Sequence, residues 1–144
     1  MAMSTQLAGG VSRVAKPPTK AGGIVVRARR GTHEILLVSS MSRPGRWTLP
    51  KGSVERGELP QFTAAREIAE EAGVRGRLVC RLGVVERQSQ RIAFYLFRFR
   101  HDVDWLENHV RERRWVPVER AERYLRQADL HGIVVEARRA LVSR

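Results

Sequence analysis

Glu67, Glu70 and Glu71 crowd into one short stretch, with Arg66 beside them and Glu58 just upstream. The segment from Pro60 to Gly73 reads as a helix. Proline suits a first turn, where its missing N–H costs nothing, and glycine suits the stop just past the end. Between them Ala64, Ala65, Arg66, Glu67, Ala69, Glu70, Glu71 and Ala72 are good helix formers. At about 3.6 residues per turn, Phe62, Ala65, Ile68, Ala69 and Ala72 gather on one side and the three glutamates on the other. Like charges that close destabilise a helix by about 0.2–0.5 kcal/mol per pair. One reading is a solvated acidic face. The other is a site for a hard divalent cation such as Mg²⁺, which prefers oxygen ligands and keeps waters for a phosphate to replace. The chain around the cluster is strongly basic, so the cluster runs against the composition.

The stretch Gly52–Val74, GSVERGELPQFTAAREIAEEAGV, resembles the Nudix box, G-x5-E-x7-R-E-U-x-E-E-x-G-U with U a bulky aliphatic residue. Gly52, Glu58, Arg66, Glu67, Ile68, Glu70, Glu71, Gly73 and Val74 meet every fixed position. Looser similarity runs from about Ala21 to Leu141. The resemblance implies an α/β (α+β) fold, a Nudix-type α/β/α sandwich with a mixed sheet between helices. It also implies metal-dependent hydrolysis of phosphoanhydride bonds. That reaction needs charge neutralisation on the phosphates, a positioned water and a carboxylate to take its proton. By resemblance, Glu67 and Glu71 are direct metal ligands together with the Gly52 carbonyl, and Glu70 is the general base or a further ligand. Arg66 and Glu58 are expected to pair and to orient the glutamates. Mg²⁺ is the expected ion and Mn²⁺ the alternative, because both accept carboxylate oxygen. A binding module that had lost catalysis would usually lack a box glutamate, and all are present.

Composition sets outer bounds. At 144 residues the chain can bury a proper core, and it reads as a flexible arm over 1–19 followed by one domain over 20–144. No apolar run is long enough for a bilayer, and the start lacks the apolar core of a signal peptide. Cys80 is the only cysteine, so no internal disulfide can form, and a reducing, cytoplasmic setting is expected. Leu78, Val79 and Leu82 around it suggest a buried strand thiol. The net charge of +12, from 27 basic and 15 acidic residues, attracts polyanions: nucleic acid, anionic membrane or phosphate-dense small molecules.

The elements that must carry the box follow from periodicity. Ala21–Arg27 and Glu34–Ser40 read as strands joined across Arg29–His33, and Trp47–Pro50 as a short extended piece leading into Lys51–Gly52. Arg77–Glu86 and Arg91–Arg100 form the next pair across Arg87–Gln90. In the second, Ile92, Phe94 and Leu96 face one way while Ala93, Tyr95, Phe97 and Phe99 face the other, which predicts a central strand covered on both sides. His101–Arg111 reads as a polar connection anchored by Trp105 and Leu106, and Arg113–Val116 as a short strand. Glu119–Ala128 has Ala121, Tyr124, Leu125 and Ala128 at helical spacing, and Ile133, Val134, Ala137 and Leu141 repeat that pattern in a C-terminal helix. The four histidines show no metal-ligand spacing and read as surface residues.

Within the family the chain most resembles the diphosphoinositol polyphosphate and diadenosine polyphosphate phosphohydrolases. The shared features are Lys20-Ala21-Gly22, the Leu36–Ser40 run LLVSS, Arg46-Trp47, Asp104-Trp105 and Arg114-Trp115. The resemblance implies a polyphosphorylated small-molecule substrate held by Lys20, Ser40, Ser42, Arg43 and Arg91, through charge-assisted contacts to phosphate. Two departures weigh against inositol pyrophosphate specificity: Lys51-Gly52-Ser53 stands where the subgroup is glycine-rich, and His131-Gly132 lies near the place of its C-terminal substrate lysine. The alternatives are an RNA 5′-pyrophosphohydrolase, with an RNA 5′ end as partner, and a nucleoside triphosphate pyrophosphohydrolase. Aromatics make up only 6% of the chain, which gives no single-strand stacking platform. Trp47 reads either as core or as a base-stacking residue. No membrane partner is expected, and the protein is read as a monomer or dimer.

Overall fold

The computed structural model describes residues 16–142. Most of the arm read over 1–19 lies outside the described residues. Its last residue is pinned: the Thr19 N–H donates to the Arg91 carbonyl at 2.9 Å, and the Thr19 carbonyl accepts from the Val54 N–H at 3.0 Å.

The strands are β1 (Lys20–Arg29), β2 (Thr32–Ser39), β3 (Trp47–Thr48), β4 (Lys51–Ser53), β5 (Val74–Arg87), β6 (Gln90–Asp102) and β7 (Arg113–Pro117). The helices are α1 (Pro60–Ala72), α2 (Ala121–Tyr124, after a 3-10 turn at Val118–Arg120) and α3 (Ala128–Val142). One mixed sheet runs β3-β2-β1-β6-β5, with β4 paired to β1 and β7 to β2. β1 and β2 are antiparallel about the turn Arg30–Gly31, where both residues have positive φ, as a two-residue hairpin of this twist demands. β1 and β6 are parallel, with Lys20 opposite Ile92 and Val26 opposite Arg98.

The β6 alternation sorts as its pattern implies. Ile92, Phe94 and Leu96 join Ile133, Val134 and Ala137 of α3 in one core. Ala93, Tyr95 and Phe97 join Ala64, Ile68 and Ala72 of α1 in the other. A strand apolar on both faces is therefore covered on both, and the result is the expected α/β/α sandwich.

α1 starts on Pro60 and ends on Gly73, whose φ of 67° provides the left-handed cap that only glycine adopts without strain. Its buried face differs from the expected one. Phe62 is 61% exposed, while Thr63, Ala64, Glu67, Ile68, Glu71 and Ala72 are buried. The helix turns two of its glutamates inward, against the β4 loop. Hydrophobic periodicity alone assigns every carboxylate to solvent, and for these two that assignment is wrong.

Three further differences have local causes. The helix expected over Glu119–Ala128 breaks at Leu125, which is extended and buried (φ −94°, ψ 105°), and His131 Nε2 donates to the Leu125 carbonyl at 2.6 Å. His131 is thus half-buried and bonded rather than a free surface residue. β5 lies at the sheet edge with register shifts, so Cys80 is half-buried and Leu78 is 44% exposed. Lys51–Ser53 forms a strand of its own, pairing Ala21 with Gly52. Among the described residues no helix is long and apolar enough to cross a membrane.

Candidate active site

β4 and α1 bring the box together. Ala21 aligns with Gly52, which places the loop backbone against the helix face carrying Glu67. The approach is tight: a β-carbon on Gly52 would lie 2.1 Å from Glu67 Cδ and 2.3 Å from its Oε2. Only a residue without a side chain lets the carboxylate rest there.

Arg66 organises the outer part of the site. Its Nε and Nη2 donate to Glu58 Oε2 and Oε1, each at 2.9 Å, a bidentate pair. Nη2 also donates to the Ser53 carbonyl at 3.0 Å, and Nη1 to Glu67 Oε2 at 2.7 Å. Nη1 stands 3.7 Å from Glu70 Oε2. Glu58 Oε1 further accepts the Thr63 hydroxyl at 2.7 Å and the Glu55 N–H at 3.1 Å. These bonds, Arg66 first, hold the Glu58 carboxyl at about 2. Glu58 is therefore a fixed anion that clamps the guanidinium and, through it, Glu67.

Glu71 is the most buried of the three helix carboxylates, at 4% exposure against 9% for Glu67. Its Oε1 accepts the Lys51 N–H at 3.2 Å, and its Oε2 lies 3.3 Å from Arg111 Nη2. Burial pushes its pKa up to about 8, and the neighbouring Glu67 carboxylate adds to the rise against the opposing pull of Arg111. Glu70 is only half-buried. Desolvation, with Glu67 and Glu107 nearby, raises its pKa against the contrary pull of Arg66. The Trp105 indole N–H donates to the Glu71 carbonyl at 2.6 Å and fixes the last turn of α1.

This donor set suits a hard divalent cation. It is all oxygen, two of its carboxylates are buried side by side, and the cradle at Gly52 has no room for a β-carbon. Among the described residues no three His, Cys, Asp or Glu side chains already converge on one point. Guanidinium groups stand between them instead, Arg66 on Glu67 and Arg111 on Glu71.

The expected substrate residues divide into two groups. Ser40 and Ser42 are 3.4 Å apart by their hydroxyls, and the Arg43 N–H donates to Ser40 Oγ at 3.1 Å. Ser42 and Arg43 then line an open cleft of about 590 Å³ with Arg87, Gln127 and Asp129. Lys20 sits in register with Ser53 at the same end of the sheet as the box. Arg91 lies next to Lys20 across the β1–β6 pair, with Lys20 opposite Ile92 and the Arg91 N–H donating to Thr19 Oγ1 at 3.2 Å. It lines a separate cavity with Lys16, Thr19 and Gln88 and pairs with Glu86, while its Nε is buried without a hydrogen-bond partner.

Three cations matter that the sequence did not single out as site residues. Lys51 Nζ donates to Thr48 Oγ1 at 3.3 Å, and burial, followed by the positive field of Arg87, lowers its pKa to about 8. Arg87 is held bidentate by Asp129 at 2.7 and 3.0 Å. Arg111 bonds Glu107 at 2.7 Å and the Ser39 carbonyl at 2.8 Å while reaching Glu71. The place of Lys51, between Pro50 and the box glycine, was a usable signal. Arg87 and Arg111 carried none, being ordinary arginines far along the chain.

A strand–loop–helix unit that presses a glycine against a glutamate-rich helix, inside an α/β/α sandwich, defines a Nudix-type site. A NUDIX domain model matches residues 17–136, and the chain belongs to the Nudix family. It is 41% identical over 97 residues to rat diphosphoinositol polyphosphate phosphohydrolase 2, an alignment covering 64% of this chain and 54% of the rat protein. It is 41% identical over 99 residues to mouse diphosphoinositol polyphosphate phosphohydrolase 3-alpha, covering 64% of this chain and 60% of that protein. Each alignment thus spans little more than half of the relative's own length. Among solved structures, C. elegans Ap4A hydrolase superposes with a TM-score of 0.69 at 25% identity, covering 88% of this chain and 99% of that one.

Proposed function

We propose that this chain is a metal-dependent hydrolase that cleaves phosphoanhydride bonds of a polyphosphorylated small molecule by water attack. The observation that carries the reading is the buried pair Glu67 and Glu71, held against Gly52 and flanked by Arg66 and Arg111. A buried acidic pair in a strongly basic protein costs stability unless it serves a positive partner.

Glu67, Glu71 and the Gly52 carbonyl would hold the ion, with Glu70 beside them as a further ligand or as the base that takes the proton of the attacking water. Nudix hydrolases generally use divalent cations. Mg²⁺ is the proposed ion, with Mn²⁺ the alternative, and when bound it supplies neutralisation of phosphate charge. For the glutamates to gather, the Arg66 Nη1 contact to Glu67 gives way, while the bidentate pair with Glu58 keeps the guanidinium in place. Glu58 and Arg66 act as positioning residues. Lys51, Lys20, Arg87 and Arg43 draw in the phosphates, with Ser40 and Ser42 as hydroxyl donors. Arg91, beside Lys20 on the neighbouring strand and paired with Glu86, is a further proposed substrate contact.

The named relatives act on diphosphoinositol polyphosphates and the structural neighbour on Ap4A, so these two substrate classes come first. An RNA 5′ end or a nucleoside triphosphate is the second reading, favoured by the net charge of +12. The test is phosphate release with Mg²⁺ from diadenosine polyphosphate, inositol pyrophosphate, 5′-triphosphorylated RNA and nucleoside triphosphates. Hydrolysis of at least one, lost on chelation, is expected. Polyphosphate binding without any hydrolysis would make the protein a binding module.

A further inference from the structure

Nothing within α1 steadies the turn that carries Glu70 and Glu71. The last four carbonyls of a helix have no partner inside it, and the partial negative charge of that end favours cations. α1 ends instead on two glutamates, with no basic residue in its last turn. Left to itself such a turn frays, and both carboxylates move with it.

The segment 103–113 supplies what the helix lacks. The Gly73 N–H donates to the Ala69 carbonyl at 3.0 Å, and the Glu107 N–H to the Glu70 carbonyl at 3.1 Å. The Trp105 indole N–H donates to the Glu71 carbonyl and Arg113 Nη1 to the Ala72 carbonyl, each at 2.6 Å. The Val103 N–H donates to the Gly73 carbonyl at 2.9 Å. Every carbonyl from Ala69 to Gly73 thus has a donor, and four of the five donors come from this segment. Arg113 also stacks on Trp105, its guanidinium carbon 4.3 Å from the ring centroid, and brings to the helix end the positive charge that the dipole calls for. The fit leaves no space for a side chain at residue 73. A β-carbon there would lie 2.6 Å from Trp105 Cβ and 3.0 Å from Arg113 Nη1, so the cap glycine serves this contact as well as its left-handed φ.

These bonds are to the backbone. They fix where the Glu70 and Glu71 side chains start and leave the carboxylates themselves available. Glu67 is held differently, by its carboxylate, through Arg66.

We infer that Trp105 and Arg113 are positioning residues of the hydrolytic site, which together hold the last turn of α1 so that Glu70 and Glu71 face the cation as a fixed pair. The inference rests on the phosphoanhydride hydrolysis proposed above and adds to it two residues that act through the helix backbone.

The test uses Trp105→Phe, which keeps a ring under Arg113 and removes the N–H, and Arg113→Met, which keeps the stem and removes the guanidinium. Each full-length variant is titrated calorimetrically with Mg²⁺, titrated with inorganic tripolyphosphate in the absence of metal, and assayed for turnover. Mg²⁺ affinity and kcat are each expected to fall about 10–100-fold, the scale for residues that orient ligands. Metal-free tripolyphosphate affinity is expected to stay unchanged, and Arg113→Lys to bind Mg²⁺ more tightly than Arg113→Met because it returns a cation to the helix end. Leu106→Ala, at a position 66% exposed in the same segment, is expected to match the parent protein in every assay. Parental Mg²⁺ affinity and kcat in Trp105→Phe, even with a lowered melting temperature, would reduce the pair to a structural cap and leave the hydrolase standing. Mg²⁺ binding that Trp105→Phe weakens, in a parent protein that hydrolyses nothing, supports the positioning role and removes the hydrolase. A parent protein that binds no Mg²⁺ overturns both.

Discussion

Gly52 and Glu67 meet so closely that a single added methyl group on the glycine would stand 2.1 Å from the carboxyl carbon. The backbone there is ordinary strand, paired to Ala21, so alanine is allowed by its φ and ψ and excluded only by the carboxylate. Gly52→Ala is expected to leave the fold intact, displace Glu67 and lower kcat by about 100-fold, the scale of an ångström-sized misplacement. Thermal melts beside steady-state kinetics check it, and a fully active, normally folded variant would remove Gly52 from the site.

Glu70→Gln and Glu71→Gln are each expected to cut turnover by orders of magnitude in a folded protein. Glutamine keeps the size of the side chain and one acceptor oxygen, which can still take the Lys51 N–H. Near-normal rates in both variants would refute the assigned chemistry.

The proposed metal binding carries a pH dependence set by Glu71. Its folded pKa of about 8 lies above the unfolded value near 4.5, so the metal-free protein loses stability as pH rises between those values. A cation competes with that proton and binds better as pH rises toward 8. The upward shift of the melting temperature on adding Mg²⁺ is therefore expected to grow from pH 6 to pH 8.5 and to shrink sharply in Glu71→Gln. A shift of the same size at every pH would contradict the assignment.

Arg66→Lys keeps the charge but loses the fork that grips Glu58 through two bonds of 2.9 Å. A loss of about 10–100-fold in activity or metal affinity is expected, as for other residues that orient ligands. Because the two residues act as one clamp, Arg66→Lys combined with Glu58→Gln should cost little more than either alone. Additive losses in the double-mutant cycle would show that they act separately.

Lys51, with its pKa lowered to about 8, carries its charge below that pH and loses it above. Affinity for a polyphosphate should weaken as pH rises through about 8, and Lys51→Met should lower affinity and flatten that limb. An unchanged pH profile in Lys51→Met would place the lysine outside the phosphate path.

The order of the long strands, the two-faced β6, the limits of α1 and the membership of the box were legible from residue type and spacing, whereas β4 and the break after Tyr124 were not. Each legible feature depends on neighbours along the chain or on a local period: proline at a first helical turn, glycine at a cap, apolar residues on both faces of one strand. Other features were decided by contacts between distant segments. Burial of Glu67 and Glu71 follows from β4 lying against α1, and no helical period can report that a sheet loop will cover a polar face. Arg111 reaches Glu71, and Arg87 is held by Asp129, across long sequence separations. The helix break at Leu125 follows from burial of that residue and from His131 bonding its carbonyl. Arg91 is held by Glu86 and by Thr19, pairings between strands that its place in the sequence did not report. Local spacing wrote the box residues into the chain, but which charges face one another is a property of the folded sheet, because electrostatic partners are chosen by distance in space.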